Sequence, residues 1–358
     1  MLKNPSTRKA ALCLWAALSF AAAGTAGGAS LGAAQPSPDP GELPPPPPLG
    51  LDDLPVPPDN PMTREKVELG RLLFFEKRIS SDGTVACATC HMPTRGFSNA
   101  RQYGVGVEGK LGVRNVPTVL NAAYYTRQFW DGRAQSLEEQ AKGPIQNPAE
   151  MNSSEERVVK VLSAIPAYPE AFRRAFGDPA INLDRAARAI ATFERTLVSG
   201  NSPFDRWKFG GDERAISAEA KRGFDLFKNK AQCLKCHLVD EFSAPFTDNK
   251  FHNIGIGMDK QKPEIGREEI TRDRKDRGKF KTPSLREITR TAPYMHDGRF
   301  NTLEEVVDFY DKGGHPNPNL DPDISPLKLT PKEKQEILAF LRTLEGNAPQ
   351  VKEPEAPR

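Results

Sequence analysis

The amino-acid sequence predicts a mostly α-helical protein made of two related halves, with long ordered loops and few or no strands. A Cys-x-x-Cys-His motif occurs twice, at residues 87–91 and at residues 233–237. A stripe of residues at the helical spacing i, i+3, i+7 precedes each motif, and the second stripe lies 153 residues after the first: Val67, Gly70 and Phe74, then Ala220, Gly223 and Phe227. At 358 residues, the chain is long enough for two domains that each bury a core.

Residues 1–34 are typical of a secretory signal peptide. A positively charged start leads into an apolar run from Ala10 to Ala23, and small residues follow as far as Ala34. The run is too short for a stable transmembrane helix, and no later segment is apolar enough to cross a membrane. A buried N-terminal helix is the alternative interpretation. We therefore expect an exported, periplasmic protein.

The remaining chain is expected to contain a linker, two domains and a tail. Residues 35–61 are rich in proline and include five consecutive prolines, a composition that favours an extended, semi-rigid tether. The two domains are predicted at 62–205 and 206–345, with a boundary near Gly200 to Gly211. Residues 346–358 are expected to form a disordered tail.

The charge balance excludes nucleic acid as a default partner. Three of the 50 Lys and Arg residues lie in the signal segment, which contains no acidic residue. The remaining 47 basic residues balance the 47 Asp and Glu residues, so the exported chain has no net basic footprint.

Helix-capping patterns support the helical interpretation. Thr63 and Ser217 are predicted to be the N-caps of the two striped helices. Capping boxes are predicted at three further places, the last with proline at the first helical position: Ser153/Glu156, Thr302/Glu305 and Thr330/Glu333. A helix that contains Ile190 and Leu197 is expected to end the first domain.

The cysteines indicate covalently bound haem. The exported chain has four of them, all within the two motifs: Cys87, Cys90, Cys233 and Cys236. Two thiols about one turn apart can add to the two vinyl groups of one porphyrin, and the next residue, His91 or His237, then lies beneath the iron. Disulfides, thioredoxin-like dithiols and a four-cysteine zinc site are alternatives, but each leaves both histidines unexplained. We expect two covalent c haems, in two cytochrome c-like domains packed side by side.

Further motifs make the sequence recognisable. They are Leu-Phe-Phe at 73–75, Gln-Phe-Trp-Asp-Gly-Arg-Ala at 128–134, Pro-Ile-Gln-Asn-Pro-Ala-Glu-Met at 144–151, Thr-Pro-Ser-Leu-Arg at 282–286 and Pro-Tyr-Met-His-Asp-Gly at 293–298. Together they closely resemble the bacterial dihaem cytochrome c peroxidase and MauG family, from about Pro61 to Leu344.

The resemblance implies a role for each haem. The haem on His91 is expected to react with peroxide, and the haem on His237 is expected to transfer electrons. Trp130 matches the tryptophan that relays oxidising equivalents between the haems. The peroxide pocket is expected to contain Gln140, Pro144 and Glu150. The resemblance also implies one calcium ion between the haems, bound by Asn115 and by the backbone oxygens of Thr291 and Pro293.

Each of these roles has a simpler alternative. A partly buried carboxylate such as Glu150 can take a proton from one peroxide oxygen and return it to the other, which is the chemistry that peroxide cleavage needs. Glu150 could instead be a solvated acid in a turn, and Gln140 a helix-surface amide. Trp130, next to Phe129, could be an ordinary core residue.

Two positions distinguish members of the family. Many peroxidases have a histidine that caps the peroxidatic iron where this chain has Val107, so we expect the first haem to be open to peroxide. Tyr310 occupies the position that the resemblance assigns to the sixth ligand of the second haem, commonly methionine in the peroxidases and tyrosine in MauG-like enzymes. Met258 and Met295 are the alternatives.

These observations predict a periplasmic dihaem peroxidase that reduces hydrogen peroxide with electrons from a small redox protein, either a cytochrome c or a cupredoxin. A MauG-like enzyme that oxidises Trp or Tyr of a partner protein is the second hypothesis. A dihaem electron carrier without catalysis is the third.

Overall fold

The structure is a computed structural model that describes residues 43–358. Within this range, eleven α-helices are joined by long loops that contain short 3-10 turns. The helices are α1 Arg64–Phe74, α2 Cys87–Cys90, α3 Leu137–Gln146, α4 Glu155–Ser163, α5 Ala167–Phe176, α6 Leu183–Glu194, α7 Pro203–Lys208, α8 Ala218–Lys228, α9 Glu268–Thr271, α10 Leu303–Asp311 and α11 Pro331–Leu341. Strands β1 Phe251–His252 and β2 Phe280–Lys281 form one antiparallel pair. The prediction of a mostly helical fold is confirmed.

The predicted signal peptide and the first residues of the linker lie outside the described residues. Within residues 43–358, none of the helices has the length and hydrophobicity that a membrane span requires.

A pair of closely crossing helices forms the centre of each half. Gly70 on α1 lies against the backbone of Ala189 on α6, and Gly223 on α8 lies against the backbone of Glu336 on α11. At both crossings, a Cβ atom would overlap the facing carbonyl oxygen, so a residue with a side chain cannot occupy the position without moving the helices apart. The middle residue of each repeated stripe is therefore the point where two helices cross.

Each half also has its own hydrophobic cluster. The buried members of the first cluster lie between Leu69 and Leu197, and those of the second lie between Phe204 and Leu344. The change from one cluster to the other falls near Gly200, where the boundary is predicted. The described residues, 43–358, nevertheless form one compact unit, and the domain limits remain a prediction.

Most of the predicted helix caps are found. Thr63 and Ser217 accept hydrogen bonds from the third helical residues of α1 and α8. The Thr302/Glu305 and Thr330/Glu333 boxes are both closed. The Ser153/Glu156 box is wrong by one residue, because Ser154 caps α4 and the Ser153 hydroxyl instead donates to the Ile79 carbonyl at 2.5 Å.

The described part of the linker packs against the protein rather than acting as a tether. Leu51, Leu54 and Asn60 are buried. The carbonyl of Leu49 accepts from Asn201 N at 2.8 Å, and the carbonyl of Gly50 accepts from the Arg286 guanidinium at 2.7 Å. Proline has no N–H group, so this proline-rich segment cannot pair all of its carbonyls within itself. Two of them instead accept hydrogen bonds from distant residues, and the segment forms a strap across the chain.

The C-terminal residues also differ from the expected disordered tail. Asn347 N donates to the Gly200 carbonyl at 2.9 Å, and the Arg71 guanidinium donates to the Lys352 carbonyl at 3.3 Å. Ala348 and Val351 pack against the first hydrophobic cluster. The tail is polar on average, but these two small apolar side chains and its backbone carbonyls fix it to the first half.

A buried carboxyl group lies at the end of α6. Glu194 is 3% exposed, and its Oε2 atom has no hydrogen-bond partner among the described residues. Burial raises its pKa to about 8, although the neighbouring Arg195 acts in the opposite direction. Glu194 is therefore mostly protonated at neutral pH.

We expect Gly70→Ala and Gly223→Ala each to lower the free energy of unfolding by about 1 to 3 kcal/mol, because the added methyl group forces the crossing helices apart. Gly112→Ala is the matched control, since its Cβ would meet nothing closer than the Gly104 carbonyl, at an ordinary 3.7 Å. Urea unfolding of the three variants measures the effect. Equal stability of all three would contradict the close crossing.

We expect Glu194→Gln to remove a pH dependence of stability. Between about pH 5 and about pH 8 the folded chain keeps a proton on Glu194 that the unfolded chain has lost, so the stability of the parent falls as the pH rises. As the pH rises across this interval, the difference in melting temperature between the variant and the parent should therefore increase by at least about 3 °C in favour of the variant. Glu65→Gln, at an exposed position on α1, is the control. Parallel melting curves of parent and Glu194→Gln would show that Glu194 is ionised throughout.

Candidate functional site

The two Cys-x-x-Cys-His motifs hold their histidines in the same way. Nδ1 of His91 donates to the Phe97 carbonyl at 3.1 Å, and Nδ1 of His237 donates to the Phe246 carbonyl at 2.8 Å. A carbonyl can only accept, so Nδ1 carries the proton and Nε2 is free to bind a metal. Burial lowers the pKa of both histidines, which favours the neutral imidazole that iron requires.

The cysteines of each motif are suited to attachment of a porphyrin. Cys87 and Cys90 are the first and last residues of the single helical turn α2, and Cys233 begins the corresponding turn in the second motif. No disulfide joins any of the four cysteines, all of which lie in the described chain. Burial raises the pKa of Cys233 to about 12, so this thiol is protonated.

The alternatives to haem receive no support from this geometry. The two cysteine pairs do not approach each other as a zinc site requires. Among residues 43–358, the one grouping of His, Cys, Asp and Glu with metal-like spacing is Cys236, Asp248 and His252. In this group His252 is already held by two carboxylates, since Nε2 donates to Asp248 at 2.8 Å and Nδ1 donates to Asp321 at 2.6 Å. The pKa of His252 is accordingly raised to about 11.

A large, mainly apolar cavity lies beside the second motif. Cys233, Cys236 and His237 line one part of it, and residues of α10 and α11 line another. Side chains of the first half, including Trp130, also reach it. The free thiols, the free imidazole Nε2 and this cavity fit a c haem on His237.

Tyr310 lies in the same cavity. It is on α10, and it is close enough to Cys233 and Cys236 for their thiols to affect its pKa, which burial raises above the usual range. Its hydroxyl makes no hydrogen bond to any residue within 43–358. Met295 lines the cavity as well, whereas Met258 does not and packs near Gly278. Both Tyr310 and Met295 can therefore be ligands of the second haem.

Trp130 lies where the two halves meet. Its indole Nε1 donates to the Asn115 carbonyl at 2.9 Å, and its own carbonyl accepts from Lys281 N at 2.8 Å. Its ring lies 6.4 Å from the ring of His296 in an edge-to-face arrangement. A core residue would also be packed in this way, but Trp130 additionally lines the cavity of the second motif.

The turn that contains Glu150 is attached to the first motif through one loop. The Cys90 thiol is 4.0 Å from the Val105 carbonyl, and two residues further Val107 N donates to the Glu150 carbonyl at 2.8 Å. Val107 is fully buried in the first hydrophobic cluster. Its side chain is a core residue, and it provides no group that could bind iron.

The Glu150 side chain is held by a single donor. Nδ2 of Asn147 donates to its Oε1 at 2.7 Å. Burial raises the pKa of Glu150, while Asn147 and the nearby Arg133 lower it and limit the shift. The carboxyl also affects the pKa values of Cys87 and Cys90, which places it near the first haem motif. The side chain is half-buried rather than fully exposed to solvent.

Gln140 is less well defined by its contacts. It is half-buried on α3, and its side chain makes no hydrogen bond to another described residue. Pro144 lies one turn later on the same helix. Helix α3 contains Gln140 and Pro144 and leads into the turn that contains Glu150. The contacts of Gln140 do not assign it a function.

The three residues of the predicted calcium site line one cavity. Asn115, Thr291 and Pro293 all reach it. Nδ2 of Asn115 donates to the carbonyls of Arg101 and Gln102, each at 3.2 Å, and Oδ1 accepts no hydrogen bond from residues 43–358. A free amide oxygen beside backbone carbonyls is the ligand type that calcium prefers.

A network of charges next to Trp130 was not predicted from the sequence. The Arg114 guanidinium bridges Asp131 at 2.6 Å and Glu264 at 2.7 Å, and Glu264 also accepts from Nε2 of His296 at 3.2 Å. These contacts lower the pKa of Glu264 to about 2. The network joins residues that are up to 182 positions apart, so no local pattern could have indicated it.

Two single buried groups were also missed. Glu194 is close enough to Cys87 to raise the pKa of that thiol. Lys281 is 7% exposed and lines the cavity of the second motif. In the sequence, the only indication that these two groups are buried is a large apolar neighbour: Phe193 precedes Glu194, and Phe280 precedes Lys281.

Comparisons with known proteins agree with this geometry. Residues 64–214 match the sequence profile described as di-haem cytochrome c peroxidase. The chain is 45% identical to methylamine utilization protein MauG of Methylorubrum extorquens, over 86% of this chain and 85% of the relative. It is 37% identical to cytochrome c551 peroxidase of Nitrosomonas europaea, over 83% and 85%.

A solved structure extends the similarity to the fold. The crystal structure of a MauG-like protein associated with microbial copper homeostasis is 34% identical, with a TM-score of 0.74 over 86% of this chain and 97% of that one. From the motifs, the site geometry and these similarities, we conclude that the chain belongs to the di-haem cytochrome c peroxidase and MauG family of oxidoreductases.

Proposed function

We propose that this chain is an exported periplasmic peroxidase with two covalent c haems, which reduces hydrogen peroxide at the haem on His91. Electrons arrive through the haem on His237 from a small redox protein, a cytochrome c or a cupredoxin. Each hydrogen peroxide takes up two electrons and two protons and yields two water molecules. The observation that carries the proposal is the half-buried Glu150 carboxyl, held by Asn147 near the first haem motif.

When bound, the haem iron supplies the electron-transfer chemistry, and the protein supplies the proton movement. Asn147 occupies Oε1 of Glu150 and leaves Oε2 available for the substrate. Oε2 would accept a proton from one peroxide oxygen and donate it to the other oxygen, which would leave as water. Burial raises the pKa of Glu150, which makes the protonated form easier to reach than in a solvated carboxylate and so favours return of the proton.

Trp130 and a calcium ion belong to the proposal as connecting elements. Trp130 lies between the halves and is the proposed path for electrons from the second haem to the first. Calcium is proposed to bind Oδ1 of Asn115 and the backbone oxygens of Thr291 and Pro293, which keeps this connection in place. Val107 leaves the first iron open to peroxide in this proposal, because its side chain is buried in the core.

A second function is favoured by Tyr310. If Tyr310 is the sixth ligand of the second haem, the phenolate stabilises the higher oxidation states of iron, which suits oxidation of a Trp or Tyr on a partner protein. The 45% identity to a relative named MauG supports this candidate. A dihaem carrier without catalysis is disfavoured by family membership and by Glu150.

We expect Glu150→Gln to retain both haems and to consume hydrogen peroxide about 10² to 10⁴ times more slowly, because the amide cannot accept the proton. Stopped-flow measurements of peroxide consumption test this, with haem content from the pyridine haemochrome assay. Glu156→Gln is the control, since Glu156 is exposed at the start of α4 and should react like the parent. A normal rate in Glu150→Gln would assign proton transfer to another group.

We expect Tyr310→Phe to raise the reduction potential of the second haem without loss of haem, because the variant loses an anionic ligand. Spectroelectrochemical titration measures the change. Met295→Leu is the matched variant and should leave the potential of the second haem near that of the parent. A large change in Met295→Leu with none in Tyr310→Phe would assign the ligand to methionine and support the peroxidase function alone.

A further inference from the structure

The cavity of the second motif contains a lysine that no acidic residue within 43–358 neutralises. Lys281 ends strand β2, and its N–H donates to the Trp130 carbonyl at 2.8 Å. Its side chain lines the cavity, with Nζ 3.1 Å from the centre of the Tyr125 ring. Only 7% of the residue is exposed.

Other buried cations of the described chain all have polar partners. Arg286 pairs with Asp205 through two hydrogen bonds of 2.8 and 2.9 Å, and Arg195 pairs with Glu138 at 2.7 Å. Lys66 donates to the Asn60 side chain at 3.1 Å and to the Pro61 carbonyl at 2.9 Å. By contrast, Nζ of Lys281 makes no hydrogen bond or ion pair with any residue from 43 to 358.

This isolation has an energetic cost. An ammonium group removed from water without an anionic partner is strongly unfavourable, and burial alone lowers the pKa of Lys281 to about 7. The aromatic face of Tyr125 offsets only part of that cost, on the order of 1 to 2 kcal/mol. A carboxylate in the cavity would restore the charged form.

The cavity wall itself cannot provide that carboxylate. The acids that line it are Asp321 and Asp323, and both are already paired, with His252 and with Lys235 respectively. The partner must therefore come from what the cavity binds. A haem attached through its vinyl groups to Cys233 and Cys236 carries two propionates elsewhere on its rim, and these are carboxylates.

We propose that Nζ of Lys281 binds a propionate of the haem on His237, as a charge-assisted hydrogen bond that fixes the haem beside Trp130. This inference rests on the proposed function, because it requires a haem on the second motif. The lysine neutralises one propionate charge, so it favours the ferrous form of that haem. Since its backbone also holds Trp130, the same residue positions both the haem and the proposed electron path.

The test uses the full chain loaded with haem and three variants. Lys281→Met removes the charge, Lys281→Arg keeps it, and Lys279→Met removes a charge two residues earlier that pairs with Asp276 at 3.1 Å. The potential of the second haem is measured by spectroelectrochemistry, and the propionate bending band is measured by resonance Raman spectroscopy. The pyridine haemochrome assay counts the haems.

We expect Lys281→Met to lower the ferrous-to-ferric ratio of the second haem about tenfold at a fixed potential, which is a 59 mV decrease for one electron, and to shift the propionate band. Lys281→Arg should keep the potential near that of the parent, and Lys279→Met should change neither property. Two haems with unchanged potential and band in Lys281→Met would overturn the inference. So would equal changes in the Met and Arg variants, because packing would then explain both.

The remaining outcomes of the experiment also decide whether the inference holds. If Lys281→Met fails to fold, Lys281→Arg is the test, since exchange of ammonium for guanidinium must alter the propionate band, and an identical band overturns the inference. A parent protein without two haems would contradict the proposed function itself, whereas two haems with an unaffected second haem would contradict this inference alone.

Discussion

Three hydrogen bonds around Trp130, two of which join the first half of the molecule to the second, hold the site in register. The indole donates to the Asn115 carbonyl, Asn115 N donates to the His296 carbonyl, and Lys281 N donates to the Trp130 carbonyl. Each bond involves a backbone group, so their geometry is insensitive to side-chain substitution except at Trp130 itself. Because all four residues line one cavity, any movement between the halves would change the shape of the second haem site.

The two halves repeat the same construction but differ in their polar groups. The glycine crossings of α1 with α6 and of α8 with α11 place Glu194 in the first half where Leu341 lies in the second, since both follow the crossing by five residues. Leu341 lines the second cavity, whereas Glu194 lies near Cys87. One scaffold thus supplies carboxyl groups beside the first haem motif and an apolar wall beside the second. The former arrangement suits the proton transfer proposed for the first haem, and the latter suits the electron transfer proposed for the second.

Local patterns in the sequence were sufficient to predict the helices and the two histidines proposed to bind haem iron. Caps such as Thr63 and Thr330 act within four residues, and Cys-x-x-Cys-His is itself a local constraint, so each could be predicted without knowledge of the fold. The strap at 43–61 and the packed tail could not, because their partners, such as Gly200 and Arg286, are more than a hundred residues away. The shift of the α4 cap from Ser153 to Ser154 has the same origin, since the competing acceptor is Ile79.

The peroxide site was partly predictable and the lysine was not. Glu150 stands in a recognisable motif, and Asn147 lies three residues before it, so both its identity and its hydrogen bond are local. Lys281 is recognisable only from what is missing around it, namely an acid within reach of Nζ among the residues that the structure describes. A sequence shows which charges are present but does not show which of them are left without a partner.

The charges in the second cavity constrain one another. Burial raises the pKa of Tyr310, so its phenolate is stable there only if a nearby cation compensates for the charge, and the iron of the proposed haem on His237 would be that cation. A phenolate ligand and two propionates would together give the haem site an excess of negative charge. Lys281 is the buried cation in position to offset it. The proposed tyrosine ligation and the proposed lysine-bound propionate are therefore compatible in one site, where the phenolate would favour oxidised iron and the lysine would limit that preference.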